Sequence, residues 1–256
     1  ITLAQLNPVV GSITGNIEKV SAAREKAATD NADLIVCSEL VVSGYPPEDL
    51  VLKPFFLDKV EAAGSAFAKE TADGGPALLL TAPWRKDGET YNAALLLEDG
   101  EIKAIRFKQD LPNYGVFDEV RVFNNQRVSG PLVFRDIRIG LMICEDMWHK
   151  DVTETLHESG AQVLVVINGS PYDQNKEDER LSVAVSRVNE SKLPLIYVNQ
   201  VGGQDELVFD GNSLVFNPDK ELIFEAPAWE ENLKVIEFDK DNRTCLLYTS
   251  PSPRDP

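Results

Sequence analysis

Cys144 closes the apolar run Arg138-Ile139-Gly140-Leu141-Met142-Ile143 and is followed at once by Glu145-Asp146-Met147-Trp148. The run reads as a buried strand and the acidic turn after it as solvated, so the thiol is expected at a sheet edge rather than in a packed core. A carboxylate and an amine stand in the same kind of place. Glu39 ends Leu34-Ile35-Val36-Cys37, and Lys108 ends Ile102-Lys103-Ala104-Ile105-Arg106-Phe107. Three reactive groups, each just past a strand, predict one site at one edge of one sheet, where open α/β sheets gather their chemistry. The chemistry open to these types is nucleophilic. A thiolate needs a nearby cation or backbone N–H groups, which Lys108 and the N–H of Glu145 can supply. Glu39 takes the role of general base, because burial beside a thiol raises a carboxylate toward neutrality. Singly, each group has a plainer reading: an inert buried thiol, a salt-bridged strand end, a solvated lysine. Their shared placement is what favours a site.

Other reactive types offer less. Of the two histidines, His149 is near Cys144 in sequence and His157 falls inside an expected helix; both read as solvated. Cys37 reads as core. Three cysteines at irregular positions form neither a disulfide framework nor a CxxC metal pattern. No Walker loop, GxGxxG, GxSxG or HExxH occurs. Forty-two acids against 25 bases leave a net charge of −17, which repels phosphate backbones and anionic lipid, so neither nucleic acid nor membrane is expected as a partner. With no signal peptide and no apolar run near 20 residues, the chain reads as soluble and cytoplasmic. It opens at Ile1 rather than Met, and the N-terminus is read as trimmed.

The elements that must position these groups follow from periodicity. Strands are expected at residues 1–6, 34–37, 77–82, 91–97, 101–107, 132–134, 138–143, 162–167, 195–199, 207–216 and 222–226. The pair on either side of Asp99-Gly100 should form a hairpin. Helices are expected at residues 17–28, 49–69, 152–159 and 176–191. Val201-Gly202-Gly203-Gln204-Asp205 reads as a tight turn. Helices alternating with strands, with hairpins between, predict an α/β sandwich with mixed sheets. From Cys245 onward the chain, with its Ser-Pro-Ser-Pro string, reads as a disordered or foreign tail over 245–256.

Taken together these strings resemble the carbon–nitrogen hydrolase (nitrilase) superfamily and, within it, the N-terminal glutaminase domains of glutamine-dependent NAD synthetases. Residues 1–244 carry the resemblance. It rests on Ser43-Gly44-Tyr45-Pro46-Pro47-Glu48-Asp49-Leu50, on Leu111-Pro112-Asn113-Tyr114-Gly115-Val116-Phe117-Asp118-Glu119, on Asn168-Gly169-Ser170-Pro171-Tyr172, and on the stretch from Val201 to Gly211. The superfamily's Glu-Lys-Cys triad maps in chain order onto Glu39, Lys108 and Cys144, and its second glutamate onto Glu119. The resemblance implies a four-layer α-β-β-α sandwich, a homo-oligomer, and L-glutamine as substrate. It implies substrate contacts from Tyr114, Glu119, Trp148 and Ser170. It also implies one from Lys176, which binds a carboxylate as a point charge where arginine would bind it bidentately. No metal and no cofactor are expected for this domain. ATP and Mg are expected only for a synthetase domain, read as absent from this chain, which would use the ammonia to make NAD from nicotinic acid adenine dinucleotide. Two other readings stand beside this one. A stand-alone nitrilase-type amidase would act on another small amide or carbamoyl compound. A non-catalytic module would bind without turnover.

Overall fold

In the strand Leu34–Cys37 (β2) every side chain is apolar, yet successive side chains point to opposite faces, so the strand must be covered on both sides. Leu34 and Val36 join one cluster of buried residues and Ile35 and Cys37 join another. That split recurs through the computed structural model, which describes residues 1–128, 130–174 and 176–247.

Seven strands form one mixed sheet. They are β1 (Thr2–Gln5), β2, β3 (Ala77–Lys86), β4 (Glu89–Glu98), β5 (Glu101–Phe107), β14 (Asn232–Asp239) and β15 (Thr244–Leu247), in the order β15-β14-β1-β2-β3-β4-β5. Six form a second: β6 (Leu132–Phe134), β7 (Ile137–Ile143), β8 (Val163–Ile167), β9 (Leu195–Val198), β12 (Leu214–Phe216) and β13 (Leu222–Glu225), in the order β13-β12-β9-β8-β7-β6. A hairpin of β10 (Val201–Gln204) and β11 (Leu207–Asp210) stands apart.

The two sheets face each other. Leu34, Val36, Leu79 and Leu96 of the first meet Ile139, Leu141, Val163, Val165 and Ile196 of the second in one cluster. Helices α1 (Ile13–Thr29) and α2 (Pro54–Glu70) cover the outer face of the first sheet. Val20, Ala23 and Ala27, at helical spacing, and Phe56, Val60 and Phe67 pack on Ile35, Leu78 and Leu80. Helices α3 (Lys150–Glu158) and α4 (Lys176–Ser191) cover the second through Val152, Leu156, Ala184 and Val188. The result is the expected α-β-β-α sandwich.

Several expectations need correction. The reactive groups belong to two sheets, not one: Glu39 and Lys108 follow β2 and β5 of the first, and Cys144 follows β7 of the second. Their strands end at the same side, where the N–H of Glu39 donates to the carbonyl of Asn168 just past β8 at 3.1 Å. The expected helix 49–69 is a 3₁₀ turn at Glu48–Leu52 followed by α2, because Pro54 begins a new helix at its first position. The expected strand 207–216 breaks into β11 and β12 at Gly211 and Asn212, whose φ values of 79° and 52° no strand accommodates. Val201–Gln204 is a strand, not a turn. β14 falls outside the expected strands, since its side chains are mostly half-buried and carry no clean alternation. The tail does not begin at Cys245, which is fully buried and pairs with Phe238 in β15; residues 248–256 lie outside the described residues. Among the described residues no helix is long and apolar enough to cross a membrane.

Candidate active site

Lys108 has no exposure to water. Its backbone N–H is fixed to the carbonyl of Asn92 at 2.9 Å. Its Nζ donates to Glu39 Oε1 at 2.7 Å and to both carboxylate oxygens of Glu119 at 2.9 Å. Burial opposes the ammonium charge, but Glu119 and Glu39 outweigh it and hold the lysine pKa well above its ordinary value. Glu39 is fully buried and is fastened by two further donors: Asn92 Nδ2 at 2.7 Å on Oε1 and the Gly169 N–H at 2.9 Å on Oε2. Glu119 takes a hydrogen bond from the Tyr45 hydroxyl at 2.9 Å. Burial raises the Glu119 pKa, with Lys108 pulling the other way.

Cys144 joins this cluster from the second sheet. Its thiol is pushed well above its ordinary pKa, first by burial and then by the charge of Glu39, while Lys108 and the Gly169 N–H favour the thiolate. Charge balance adds to burial: two carboxylates already face one ammonium, and a thiolate would add a second uncompensated negative charge. The thiol therefore holds its proton until a base takes it. Cys144 has φ 49°, the left-handed region that a non-glycine residue occupies only where its surroundings impose it. It opens a short 3₁₀ turn, Cys144–Met147, whose first N–H groups have no partner within the turn, and Glu145 carries one of them.

Two expectations about this turn are reversed. Cys144 is not presented outside the core; it is 4% exposed and belongs to the cluster between the sheets. Nor is the acidic turn solvated, since Glu145 and Asp146 are both buried. Asp146 can be buried because its oxygens accept three backbone N–H bonds, and Glu145 Oε2 accepts the Tyr114 hydroxyl at 2.8 Å. His149 is exposed, as expected, with Nε2 3.4 Å from Glu145 Oε1.

Tyr114, Trp148 and Lys176 lie about the same turn, and Ser170 lies beside Gly169. Tyr114 is half exposed, with its ring on Phe117 and its hydroxyl on Glu145. Lys176 Nζ lies 4.2 Å over the ring of Trp148, with Glu179 3.8 Å away. Ser170 is buried next to Gly169, and Asn199 brackets it: its N–H donates to Asn199 Oδ1 at 3.0 Å and its carbonyl accepts from Nδ2 at 3.1 Å.

Sequence reasoning gave no role to Asn92, Tyr45, Gly169 or Asp146. Asn92 had a signal: it is a polar side chain in the buried strand run Tyr91-Asn92-Ala93-Ala94-Leu95, where such a group needs a reason. A side chain on Gly169 would lie 2.9 Å from the Tyr45 ring and 3.1 Å from Glu39 Oε2, so the close approach of this backbone requires glycine.

Residues 1–244 match the family model described as carbon–nitrogen hydrolase. The chain is 45% identical over 240 residues to a glutamine-dependent NAD(+) synthetase of Rhodobacter capsulatus, covering 94% of this chain and 43% of that one. The chain thus spans less than half the length of that relative. A glutamine-dependent NAD+ synthetase from Acinetobacter baumannii, solved with adenosine diphosphate, superposes with a TM-score of 0.91 at 34% identity, over 99% of this chain and 48% of that one. An amidase mutant from Nesterenkonia sp. AN1, showing covalent addition of the acetamide moiety of fluoroacetamide at its active site cysteine, superposes with a TM-score of 0.80 at 25% identity, covering 91% and 87%.

Proposed function

This chain belongs to the carbon–nitrogen hydrolase family, and we propose that it hydrolyses the side-chain amide of L-glutamine to glutamate and ammonia through a thioester on Cys144. The observation that carries the reading is the buried cluster in which Lys108 binds Glu39 and Glu119 beside the thiol.

Glu39 takes the thiol proton as Sγ attacks the carboxamide carbon. Lys108 Nζ and the Glu145 N–H hold the oxygen that becomes an oxyanion. Losing one such donor raises a barrier by roughly 3 to 4 kcal/mol. The tetrahedral adduct collapses, the C–N bond breaks, and the Glu39 proton leaves with the amine as ammonia. Glu39 then takes a proton from water, the hydroxide oxygen attacks the thioester, and the C–S bond breaks as Glu39 returns that proton to Sγ, which releases glutamate and restores both the thiol and the carboxylate. Glu119 holds Lys108 in place throughout. Trp148, Tyr114, Ser170 and Lys176 bind the rest of the substrate, with the Lys176 ammonium facing its carboxylate. These steps use protein groups and water alone.

In a longer protein like the synthetase relatives, the ammonia would amidate nicotinic acid adenine dinucleotide at an ATP- and Mg-dependent domain. We place such a protein in the cytoplasm as a homo-oligomer, in line with the family resemblance.

The test is mass spectrometry after treatment with 6-diazo-5-oxo-L-norleucine. A covalent adduct is expected on Cys144 and is lost in Cys144→Ala; an adduct on another residue overturns the assignment. Glu39→Gln should abolish ammonia release while the fold persists. The fold shared with the amidase favours one second reading, a stand-alone enzyme for another small amide. Ammonia release measured across glutamine, asparagine, ω-amidodicarboxylates and N-carbamoyl compounds separates the two.

A further inference from the structure

Lys108 and Cys144 end strands of two different sheets, β5 and β7, and among the described residues no backbone ladder joins those sheets. Something else must fix the distance between ammonium and thiol. One carboxylate spans the gap. Asp146 Oδ1 accepts the N–H groups of Gln109 at 3.0 Å and Asp110 at 2.8 Å, the two residues directly after Lys108. Asp146 Oδ2 accepts the N–H of Ile143 at 2.9 Å, the residue directly before Cys144. The side chain is 1% exposed, and its partners in these bonds are all main-chain groups. Glu39 has a counterpart across the same gap, since its N–H binds Asn168 and its Oε2 binds the Gly169 N–H.

We infer that Asp146 is a positioning residue: it touches no reacting atom, but ties the backbone after the lysine to the backbone before the cysteine and so sets how closely the ammonium approaches the sulfur. This role rests on the amide-hydrolysis reading only for its effect on turnover. Its effect on the thiol does not depend on what the substrate is.

In Asp146→Asn the amide group presents one acceptor oxygen, so either the Ile143 N–H or the two N–H groups after Lys108 must lose theirs. Either loss cuts the tie between the two strand ends: Glu39 and Glu119 still hold the ammonium, but its separation from the sulfur is no longer set, and the Cys144 thiolate loses part of its cation. Alkylation of Cys144 by iodoacetamide at pH 9, followed by peptide mass spectrometry, should slow by roughly threefold or more, because the thiolate fraction falls. Cys37 and Cys245 serve as internal controls.

A purely structural role has the opposite signature, since a loosened fold exposes the thiol and speeds alkylation. An unchanged or faster rate overturns the proposal. The ammonia assay should show kcat reduced by roughly tenfold or more with KM for glutamine within about threefold, as for a group that acts on the reacting centre and not on binding. Asp146→Glu is the second variant. Asp146 borders a cavity of about 310 Å³, which has room for one more methylene, so the longer carboxylate should restore the alkylation rate to within about twofold. Failure of that rescue also counts against the proposal. Should the wild-type chain release no ammonia from any amide while slower alkylation persists in Asp146→Asn, the hydrolase reading falls and the positioning role stands.

Discussion

An ammonium without contact with water is stable here only because two carboxylates close on it. Breaking a buried pair from one side leaves uncompensated charge, which is worth about 3–5 kcal/mol. Lys108→Met fills similar volume and leaves Glu39 and Glu119 facing each other. It should lower unfolding free energy by about that amount in a urea titration, besides abolishing turnover. A loss under about 1 kcal/mol would show the two carboxylates sharing a proton instead. The raised thiol pKa makes a second, kinetic prediction. Cys144 keeps its proton well above the usual 9.0, so its iodoacetamide rate should climb with pH and show no plateau below pH 9. The diazo-ketone should nevertheless label it at neutral pH, since Glu39 as the proposed base would take the proton as the C–S bond forms. A thiolate already formed at neutral pH, seen as an early plateau, would contradict this order of events. The triad's residue types were readable from sequence because each ends a strand. The burial of Lys108 was not, since nothing local distinguishes it from a solvated lysine.

At the scale of elements, strands with two apolar faces decide the layering, and their C-terminal ends decide the site. The segment between β2 and α2 carries Gly44 at φ 74°, where an added Cβ would sit 2.6 Å from the backbone of Val10. Gly44→Ala should therefore destabilise the fold by about 1–3 kcal/mol, read as a fall in melting temperature, whereas the open Gly74 should tolerate alanine better. On β2 itself, burial pushes the Cys37 thiol up to about 12 from 9.0. The folded chain keeps that proton between these pH values and the unfolded chain gives it up. Its contribution is thus present below pH 9 and is lost as pH rises toward 12, about 4 kcal/mol in all. Denaturant titrations from pH 9 upward should show a shallower decline for Cys37→Ala; identical slopes would mean the thiol ionises in the folded state. Helices α1 to α4 were legible because their apolar residues recur at three and four. β14 was not, because a half-buried strand in this sheet shows no strict alternation, and the 207–216 break hinged on two left-handed residues.

For the molecule as a whole, a net charge of −17 acts through its field. Self-repulsion between carboxylates loosens the compact state and is screened by salt over about 10 Å at 0.1 M. Raising sodium chloride from about 0.01 M to 0.15 M should raise the melting temperature; a fall would show that attractive surface pairs such as Lys19–Glu231 dominate. The same field makes retention on immobilised DNA at physiological salt an unexpected result.

Residue types, their order and the alternation of apolar positions determined the sandwich class and named Glu39, Lys108 and Cys144, because local pattern records which faces must be buried and where strands stop. Which sheet each group belongs to, the burial of the acidic turn, the hydrogen bonds that Asn92, Tyr45 and Gly169 donate, and those that Asp146 accepts from Gln109 and Asp110 were decided only by tertiary structure. The physical reason is distance along the chain. These contacts join segments tens of residues apart, and no window of sequence contains both partners of a bond that forms only when two sheets stack.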